Sequence, residues 1–229
     1  LTLDSGPVAG VTGSQYAGGL MGYDNIITTD MGGTSFDVGV IHDGKPAFSY
    51  TSLVHQYAYY LSKVDIQTIG AGGGSKAWID ETSGMLRVGP ESAGAAPGPA
   101  CYGQGGESPT VTDADVIMGR IDPEHFAGGK VTLEPANSMS AVDTVIGGPL
   151  GISTMAAAAG IDEIVNENMA NAARVHAIEN GKETHDRTLV AFGGAAPLHA
   201  ARLAEKLGVQ KVIIPSGAGV GSAVGFLRA

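Results

Sequence analysis

The stretch Asp30-Met31-Gly32-Gly33-Thr34-Ser35-Phe36-Asp37-Val38-Gly39 decides how this sequence folds. It joins two segments that have the character of β-strands. Residues 25–29 form a short β-like run before it, and after it apolar residues alternate with polar or small ones, the period of a half-buried strand. An Asp-Gly pair at residues 43–44 predicts a hairpin turn, and a third strand is expected at residues 46–52. The sequence therefore predicts three sequential antiparallel strands.

The turn inside this stretch has the composition of an anion-binding loop. Gly32 and Gly33 allow backbone N–H groups to face an anion, and Thr34 adds a hydroxyl group. Asp30 is suited to hold Mg²⁺ through water, because magnesium prefers carboxylate oxygens. Asp37, on the next strand, is a further candidate for cofactor binding. The alternative is an ordinary glycine-rich hairpin turn with Asp30 as its cap, and these residues alone leave both interpretations open.

If the turn binds phosphate, it has to be accessible. We therefore expect the Asp30 turn to lie at an open edge, with the N–H groups of Gly32 and Gly33 free of protein partners.

A second glycine turn follows a later predicted strand. That strand, residues 189–192, continues into Gly193, Gly194 and Ala195, and a helix is expected from about Pro197. Small residues leave room for a planar base or a ribose, and the start of a helix supplies N–H groups. Gly193, Gly194 and Ala195 are therefore candidate cofactor-binding residues. Tight packing of the strand on the helix is the alternative, and this motif alone favours that alternative.

The order of the predicted elements indicates an α/β fold. The three strands are followed by a loop-rich segment with many Gly and Pro residues, and then by helix, strand, helix, strand and helix. This order, βββ-insertion-αβαβα, is that of a ribonuclease-H-like fold, the unit that is duplicated in actin-like ATPases. We expect residues 1–52 and 151–229 to form one such lobe and residues 53–150 to form an irregular insertion subdomain. The longest helix is expected between Ser153 and Gly181, because these residues are suited to cap its two ends.

The sequence resembles the hydantoinase A/5-oxoprolinase/acetone carboxylase family along nearly its whole length. So many long motifs in one order are hard to obtain by chance. Residues 55–63 depart from the family's motifs and indicate a subfamily with its own substrate. The matching stretches are Ser5-Gly6-Pro7, Asp30-Met31-Gly32-Gly33-Thr34, Asp65-Ile66-Gln67-Thr68-Ile69-Gly70-Ala71-Gly72-Gly73-Gly74-Ser75, Arg87-Val88-Gly89-Pro90, Ser92-Ala93-Gly94-Ala95-Ala96-Pro97-Gly98-Pro99-Ala100-Cys101-Tyr102-Gly103, Pro109-Thr110-Val111-Thr112-Asp113-Ala114 and residues 191–200.

The resemblance implies an ATP-dependent enzyme with a large partner subunit or a further domain. ATP, with Mg²⁺, would phosphorylate a carbonyl or bicarbonate oxygen, so that a cyclic amide is attacked or a ketone is carboxylated. The Asp30 turn would contact the phosphates and the Gly193 turn the adenosine. The rivals are another actin-like phosphotransferase of the sugar-kinase type, which the Gly/Pro-rich insertion disfavours, and a non-catalytic scaffold module for a partner subunit.

The resemblance also implies a first lobe with another Asp-x-Gly-Gly-Thr phosphate loop. Here that pattern occurs once, at Asp30. The sequence opens at Leu1 within a motif-like stretch, so we interpret it as an excised fragment, although processing would also explain this start. We expect the isolated chain to be inactive.

Composition excludes several other classes of function. The formal net charge of −10 and the pI of about 4.9 disfavour non-specific binding to nucleic acid or to a membrane surface. No stretch of about 18 apolar residues predicts a membrane span. The single cysteine, Cys101, cannot form an internal disulfide, which fits a cytoplasmic protein. Cys101 is either a reactive thiol or a small buried filler, and the second is favoured. Asp65 precedes a glycine loop that either lines the active cleft or is solvated.

Overall fold

The computed structural model describes residues 4–50, 52–54 and 57–228. Its helices, in chain order, are α1 (Ser5–Leu20), α2 (Val111–Ile117), α3 (Pro135–Val142), α4 (Gly148–Leu150), α5 (Thr154–Glu179), α6 (Ala196–Leu207) and α7 (Gly221–Phe226). Its strands are β1 (Ile26–Met31), β2 (Phe36–His42), β3 (Lys45–Pro46), β4 (Phe48–Ser49), β5 (Ser52–Val54), β6 (Tyr57–Tyr59), β7 (Lys63–Val64), β8 (Ile66–Ile69), β9 (Ser75–Ile79), β10 (Leu86–Ser92), β11 (Thr188–Phe192) and β12 (Lys211–Ile213).

The chain divides into two compact units. The first unit comprises Leu1–Met31, Phe36–Thr68 and Ala170–Ala229, and the second comprises Gly32–Ser35 and Ile69–Met169. One boundary between the units falls within α5, after Met169. The domain boundaries expected from the sequence, at residues 52 and 150, remain a prediction.

The first unit is built on a mixed β-sheet, with the strand order β12-β11-β1-β2-β3 and with β8 also paired to β2. β1 is parallel to β11, with Asp30 opposite Phe192, and antiparallel to β2, with Asp30 opposite Asp37. β11 and β12 are parallel. The predicted α/β fold, the antiparallel start of the sheet and the later order of helix, strand, helix, strand and helix are confirmed.

The third strand of the sheet is shorter than expected. Only Lys45 and Pro46 pair with β2, and the next pairing segment, β4, forms a separate two-stranded ribbon with β7. Between them the Ala47 N–H donates to Val40 O while the Ala47 carbonyl accepts from the Asp65 N–H. The pairing with β2 therefore ends at Ala47, whose carbonyl bonds to the residue that follows β7. The prediction of one strand over residues 46–52 was therefore wrong.

Helix α1 covers one face of this sheet, and the sequence analysis did not predict it. Val11 of α1 packs against Val190 and Phe192 of β11, within a buried cluster. Two glycines allow the close approach: a Cβ at Gly10 would lie 2.5 Å from the Phe192 ring, and one at Gly18 would collide with the Ile26 side chain. The position of α1 therefore depends on residues that do not favour helices intrinsically.

Helix α7 crosses α1 at close range. A Cβ on Gly225, which is buried, would collide with the carbonyl oxygen of Ala9 and lie 2.9 Å from the Gly13 nitrogen. The two helices can therefore cross only where side chains are missing.

The amphipathic helix α6 contacts β1, β11 and β12. Its buried residues include Ala200, Leu203 and Leu207, and Gly208, with φ of 70°, ends it.

The second unit contains the β9–β10 hairpin and helices α2 to α4. Helix α2 begins with a capping box, in which Thr110 accepts from the Asp113 N–H and the Asp113 carboxylate accepts from the Thr110 N–H. The expectation that residues 53–150 form an irregular insertion subdomain remains a prediction.

The long helix α5 has the predicted bounds. The Ser153 hydroxyl oxygen accepts from the Ala156 N–H at 3.2 Å, and Gly181, with φ of 65°, follows its last turn. Among the described residues, no single helix has the length and apolar character of a membrane span. The pair Pro135–Leu150 and Thr154–Glu179 meets both criteria only when joined across a bend of 92°.

Candidate functional site

Asp30 lies next to the last residue of β1, in a strand that is otherwise buried. Its Oδ2 accepts a hydrogen bond of 2.5 Å from the Ser222 hydroxyl of α7. Burial raises the pKa of Asp30, the bond from Ser222 opposes that rise, and the charge of Asp37 adds to it. The protein therefore holds this carboxylate partly out of water.

Asp37 faces Asp30 from the neighbouring strand β2. Its Oδ1 accepts a hydrogen bond of 2.5 Å from the Thr68 hydroxyl. Burial raises the pKa of Asp37 too, the Thr68 bond lowers it, and the charge of Asp4 raises it further. Residues directly opposite on antiparallel strands project from the same face. Within the described part of the chain neither carboxylate has an ion-pair partner, so a cation would compensate both charges.

Gly193 brings the second glycine turn to Asp30. Its φ is 94°, and a Cβ there would collide with Asp30 Oδ1 and lie 2.5 Å from the Met31 carbonyl oxygen. Only glycine fits a position that combines this φ with this approach. The structure therefore places Gly193 beside Asp30 at the carboxyl ends of the parallel strands β1 and β11.

The next two residues of this turn differ in whether they are free to contact a ligand. Gly194 is exposed, and a Cβ there would meet no atom within 4 Å. The Ala195 N–H instead donates to the Met31 carbonyl at 2.9 Å. Gly194 therefore faces open space, whereas the N–H of Ala195 already has a protein acceptor.

The turn Gly32–Ser35 belongs to the second unit and leaves part of its backbone free. Gly33 and Thr34 are exposed, and no described residue accepts a hydrogen bond from their N–H groups. The Gly32 N–H, by contrast, donates to the Ser35 carbonyl at 3.2 Å. The expectation that Gly32 offers a free N–H was therefore wrong. In this tight hairpin turn the N–H of the first residue bonds to the carbonyl of the fourth.

A glycine loop supports this turn from within the second unit. The N–H groups of Gly73 and Gly74 donate to the carbonyls of Gly32 and Gly33, at 3.0 and 2.7 Å. A Cβ on Gly72 would lie 2.5 Å from the Thr34 nitrogen. Because its carbonyls are bonded to this loop, the turn presents N–H groups, the polarity that an anion requires.

Three groups that contact Asp30, Asp37 or the turn between them were not predicted from the sequence. Gly72 to Gly74 lie in a stretch that it identified, but no pattern indicated that they contact the turn. Ser222 and Thr68 had no signal of their own, since a single hydroxyl at a helix start or a strand end is common. Only the three-dimensional pairing with Asp30 and Asp37 distinguishes them.

The structure also shows the surroundings of two further residues considered from the sequence, Cys101 and Asp65. Cys101 is fully buried, and burial raises the pKa of its thiol, as does the charge of Asp113. It is therefore the small buried filler, not a reactive thiol. Asp65 is half-buried and accepts from Asn180 Nδ2 at 3.0 Å, while His176 Nδ1 lies 4.0 Å away. Asp65 therefore contacts His176 of α5 and Asn180, the residue that follows this helix, and is not simply solvated.

The chain is similar to a known protein family and to subunits of named enzymes. The family model described as "Hydantoinase/oxoprolinase" matches residues 1–229. The acetophenone carboxylase gamma subunit of Aromatoleum aromaticum is 41% identical over 225 residues, which are 98% of this chain and 30% of that protein. The caprolactamase subunit alpha of Pseudomonas jessenii is 43% identical over 213 residues, which are 93% of this chain and 30% of that protein.

A solved structure agrees with the sequence relatives. The nucleotide-free structure of acetone carboxylase, described in terms of ATP-dependent acetone carboxylation, superposes with a TM-score of 0.90 at 34% identity. The match covers 98% of this chain and 32% of the other. The chain thus spans about a third of the length of these proteins.

Proposed function

Because this chain belongs to the hydantoinase/oxoprolinase family, we propose that it is the lobe of an ATP-dependent enzyme that binds the phosphates of ATP. In this proposal the first unit is an actin-like ATPase lobe of the ribonuclease-H-like type. The mixed sheet supports this assignment, and the likeness to a structure described in terms of ATP-dependent carboxylation supports the use of ATP.

The observation that carries the proposal is the contact between Asp30 and Gly193. Asp30 and Gly193 meet at the carboxyl ends of two adjacent parallel strands, where ligands commonly bind in α/β sheets. Gly193 allows both the backbone of the turn and the close approach of the Asp30 carboxylate, which holds that carboxylate at a fixed place for a ligand.

Asp30 and Asp37 have the chemistry to hold Mg²⁺. They are two half-buried carboxylates with raised pKa values and with no ion-pair partner among the described residues. Magnesium prefers such oxygen ligands and retains several of its waters. When bound, it would neutralise charge on the phosphates of ATP.

Other residues of the chain would orient the nucleotide. In the proposal the free N–H groups of Gly33 and Thr34, with the Thr34 hydroxyl, bind phosphate oxygens. The open space at Gly194 receives the ribose or base. Ser222 and Thr68 donate to the inward oxygens of the two carboxylates and so keep both side chains in place.

The proposed outcome is activation of a carbonyl or bicarbonate oxygen by phosphorylation. The named relatives act in carboxylation of a ketone and on caprolactam, and both are subunits of larger enzymes. We therefore propose a cyclic amide or a ketone as the substrate class, with catalysis completed by a partner subunit or a further domain.

The test uses the full-length enzyme with its partner. Asp30→Asn is expected to lower ATP turnover by about 100-fold, since it removes a metal-binding charge. Asp43→Asn, at an exposed turn, is the matched control and should behave as wild type. Both variants are compared for magnesium-ATP affinity by calorimetry and for phosphate release.

The rival functions give different outcomes in the same experiment. Wild-type turnover in Asp30→Asn would refute the metal-binding role. ATP consumption that depends on a sugar, and not on a cyclic amide or a ketone with bicarbonate, would indicate a sugar-kinase-type enzyme. A wild-type enzyme that binds no nucleotide would indicate a scaffold.

A further inference from the structure

The first unit contains a cavity that the proposed nucleotide site does not use. It has a volume of about 180 Å³ and lies among α1, β11 and α7. Its walls are apolar, with Ala17 and Leu20 from α1, Val190 and Phe192 from β11, and Val224 from α7. Leu20 and Val224 are 71% and 49% exposed, so the cavity opens to solvent between these two helices.

One polar group lies in this apolar wall without a partner. The Ser14 side chain is 2% exposed, and its hydroxyl forms no hydrogen bond within the described part of the chain. A hydroxyl within a helix usually donates to a backbone carbonyl one turn earlier. The Thr12 hydroxyl on the same helix does so, donating to the Val8 carbonyl at 3.1 Å. Ser14 makes no such bond.

A buried donor without an acceptor is costly, so the Ser14 hydroxyl indicates what the cavity accommodates. Unpaired donors are rarer in folded proteins than under-used acceptors. The missing partner is therefore an acceptor oxygen. No charged side chain lines the cavity among the described residues; the nearby Arg228 instead stacks on the Tyr16 ring at 4.2 Å and donates to its hydroxyl.

The size of the cavity limits the ligand further. An engineered apolar cavity of about 150 Å³ accepts benzene. A cavity of about 180 Å³ therefore suits a ring of similar size with one small substituent.

We propose that this cavity is a binding site for a small neutral molecule with an apolar body and a single carbonyl group, whose oxygen accepts the hydrogen bond from Ser14. The cavity is distinct from the proposed nucleotide site but adjacent to it, because Phe192 of its wall lies opposite Asp30 and Gly221 directly precedes Ser222. Its occupant would lie against Phe192, whose ring also contacts the positions of Gly10 and Gly221.

Cyclohexanone is a suitable probe, and methylenecyclohexane, in which CH₂ replaces the oxygen, is its matched control. Both are titrated into methyl-labelled protein and followed by NMR. Cyclohexanone is expected to shift the methyl signals of Leu20, Val190 and Val224 and to leave that of Leu133, in the second unit, unchanged. Ser14→Ala is expected to weaken cyclohexanone binding by about fivefold and to leave methylenecyclohexane binding unchanged.

Two further variants keep the test decisive. Ala17→Leu and Val224→Phe should fill the cavity and abolish binding of both probes; Val224 is half exposed, so that variant is expected to fold. Ser14→Ala itself should keep or raise the melting temperature, because it removes an unpaired hydroxyl.

Three results would overturn the proposal. The first is the absence of methyl shifts in the wild-type protein. The second is an equal loss of both probes in Ser14→Ala. The third is a lower melting temperature of Ser14→Ala with cyclohexanone affinity retained, which would show that a buried water or a protein group already accepts the hydroxyl.

Discussion

At the scale of single residues, Gly193 affects both the fold and the proposed site, because its backbone conformation and its contact with Asp30 both require glycine. Gly193→Ala would place a methyl group against the Asp30 carboxylate and force alanine to a φ of 94°. We expect it to lower the free energy of unfolding by ~3 kcal/mol. The measurement is chemical denaturation of the variant and the wild type.

The neighbouring glycine supplies the control for that prediction. Gly194→Ala adds its methyl group to open space and needs no unusual φ, so it should remain close to wild type. If both alanine variants lose equal stability, the turn is sensitive as a whole, and the contact with Asp30 does not explain Gly193.

The raised pKa of Asp30 gives a pH-dependent prediction. Because burial raises this pKa above its ordinary value of 3.8, ionisation favours the unfolded chain, and stability is lost as the pH rises through and above that value. Asp30→Asn should therefore raise the melting temperature at pH 7, and the gain should disappear below about pH 3.8. Thermal denaturation of wild type and variant between pH 3 and pH 8 measures it.

Asp80 provides the opposite case. Backbone N–H groups, that of Ser83 first, lower the pKa of Asp80. Its contribution to stability is therefore present above its ordinary pKa and lost as the pH falls, so Asp80→Asn should lower the melting temperature at pH 7. If both variants shift in the same direction, the electrostatic explanation of Asp30 is wrong.

At the scale of secondary-structure elements, the crossing of α1 and α7 reverses the usual preference of helices for alanine. Alanine normally stabilises an exposed helix position by up to about 1 kcal/mol relative to glycine. Gly225→Ala should instead destabilise by ~2 kcal/mol, because its methyl group meets the backbone of Ala9.

Gly19→Ala, in the open last turn of α1, is the matched variant and should be neutral or stabilising. Urea denaturation of both proteins decides between the two effects. A stabilising Gly225→Ala would mean that α7 does not approach α1 as closely as the structure indicates.

The elements that the sequence predicted well are those whose boundaries have local causes. Ser153 and Gly181 cap α5, and Gly208 ends α6, so short motifs were sufficient there. Helix α1 was missed because its five glycines argue against a helix, although only Gly10 and Gly18 are needed for packing on the sheet. Pro7 in its first turn was the available signal. The Asp30 turn could be identified because, like the caps, it is defined by consecutive residues.

The glycine loop that supports it and Ser222 could not be identified, because contacts between distant segments leave no pattern in a single sequence.

At the scale of the whole molecule, the chain has one Asp-x-Gly-Gly-Thr turn and spans about a third of its named relatives. We therefore expect it, taken alone, to bind magnesium-ATP weakly and to release no phosphate at a useful rate. Phosphoryl transfer depends on positioning, which an open half-site supplies poorly.

Calorimetric titration and phosphate-release assays over a range of protein concentrations test this expectation. The dilution series is needed because two copies could pair and complete the site for each other. Tight binding and steady turnover that do not depend on protein concentration would show that the chain is a complete site.

The pairing of β1 with β11 also has a consequence for the order in which the protein acquires its structure. The Thr29 hydroxyl donates to the Val190 carbonyl, and these two residues are 161 positions apart. A central strand of the sheet therefore stays without its parallel neighbour on the ribosome until nearly the whole intervening segment has been synthesised. The entropy of closing so long a loop makes this a slow, late step, whereas the β9–β10 hairpin and α2 have local contacts that can form early. During synthesis β1 thus exposes an apolar edge for most of the time, and this edge is where chaperones would be needed.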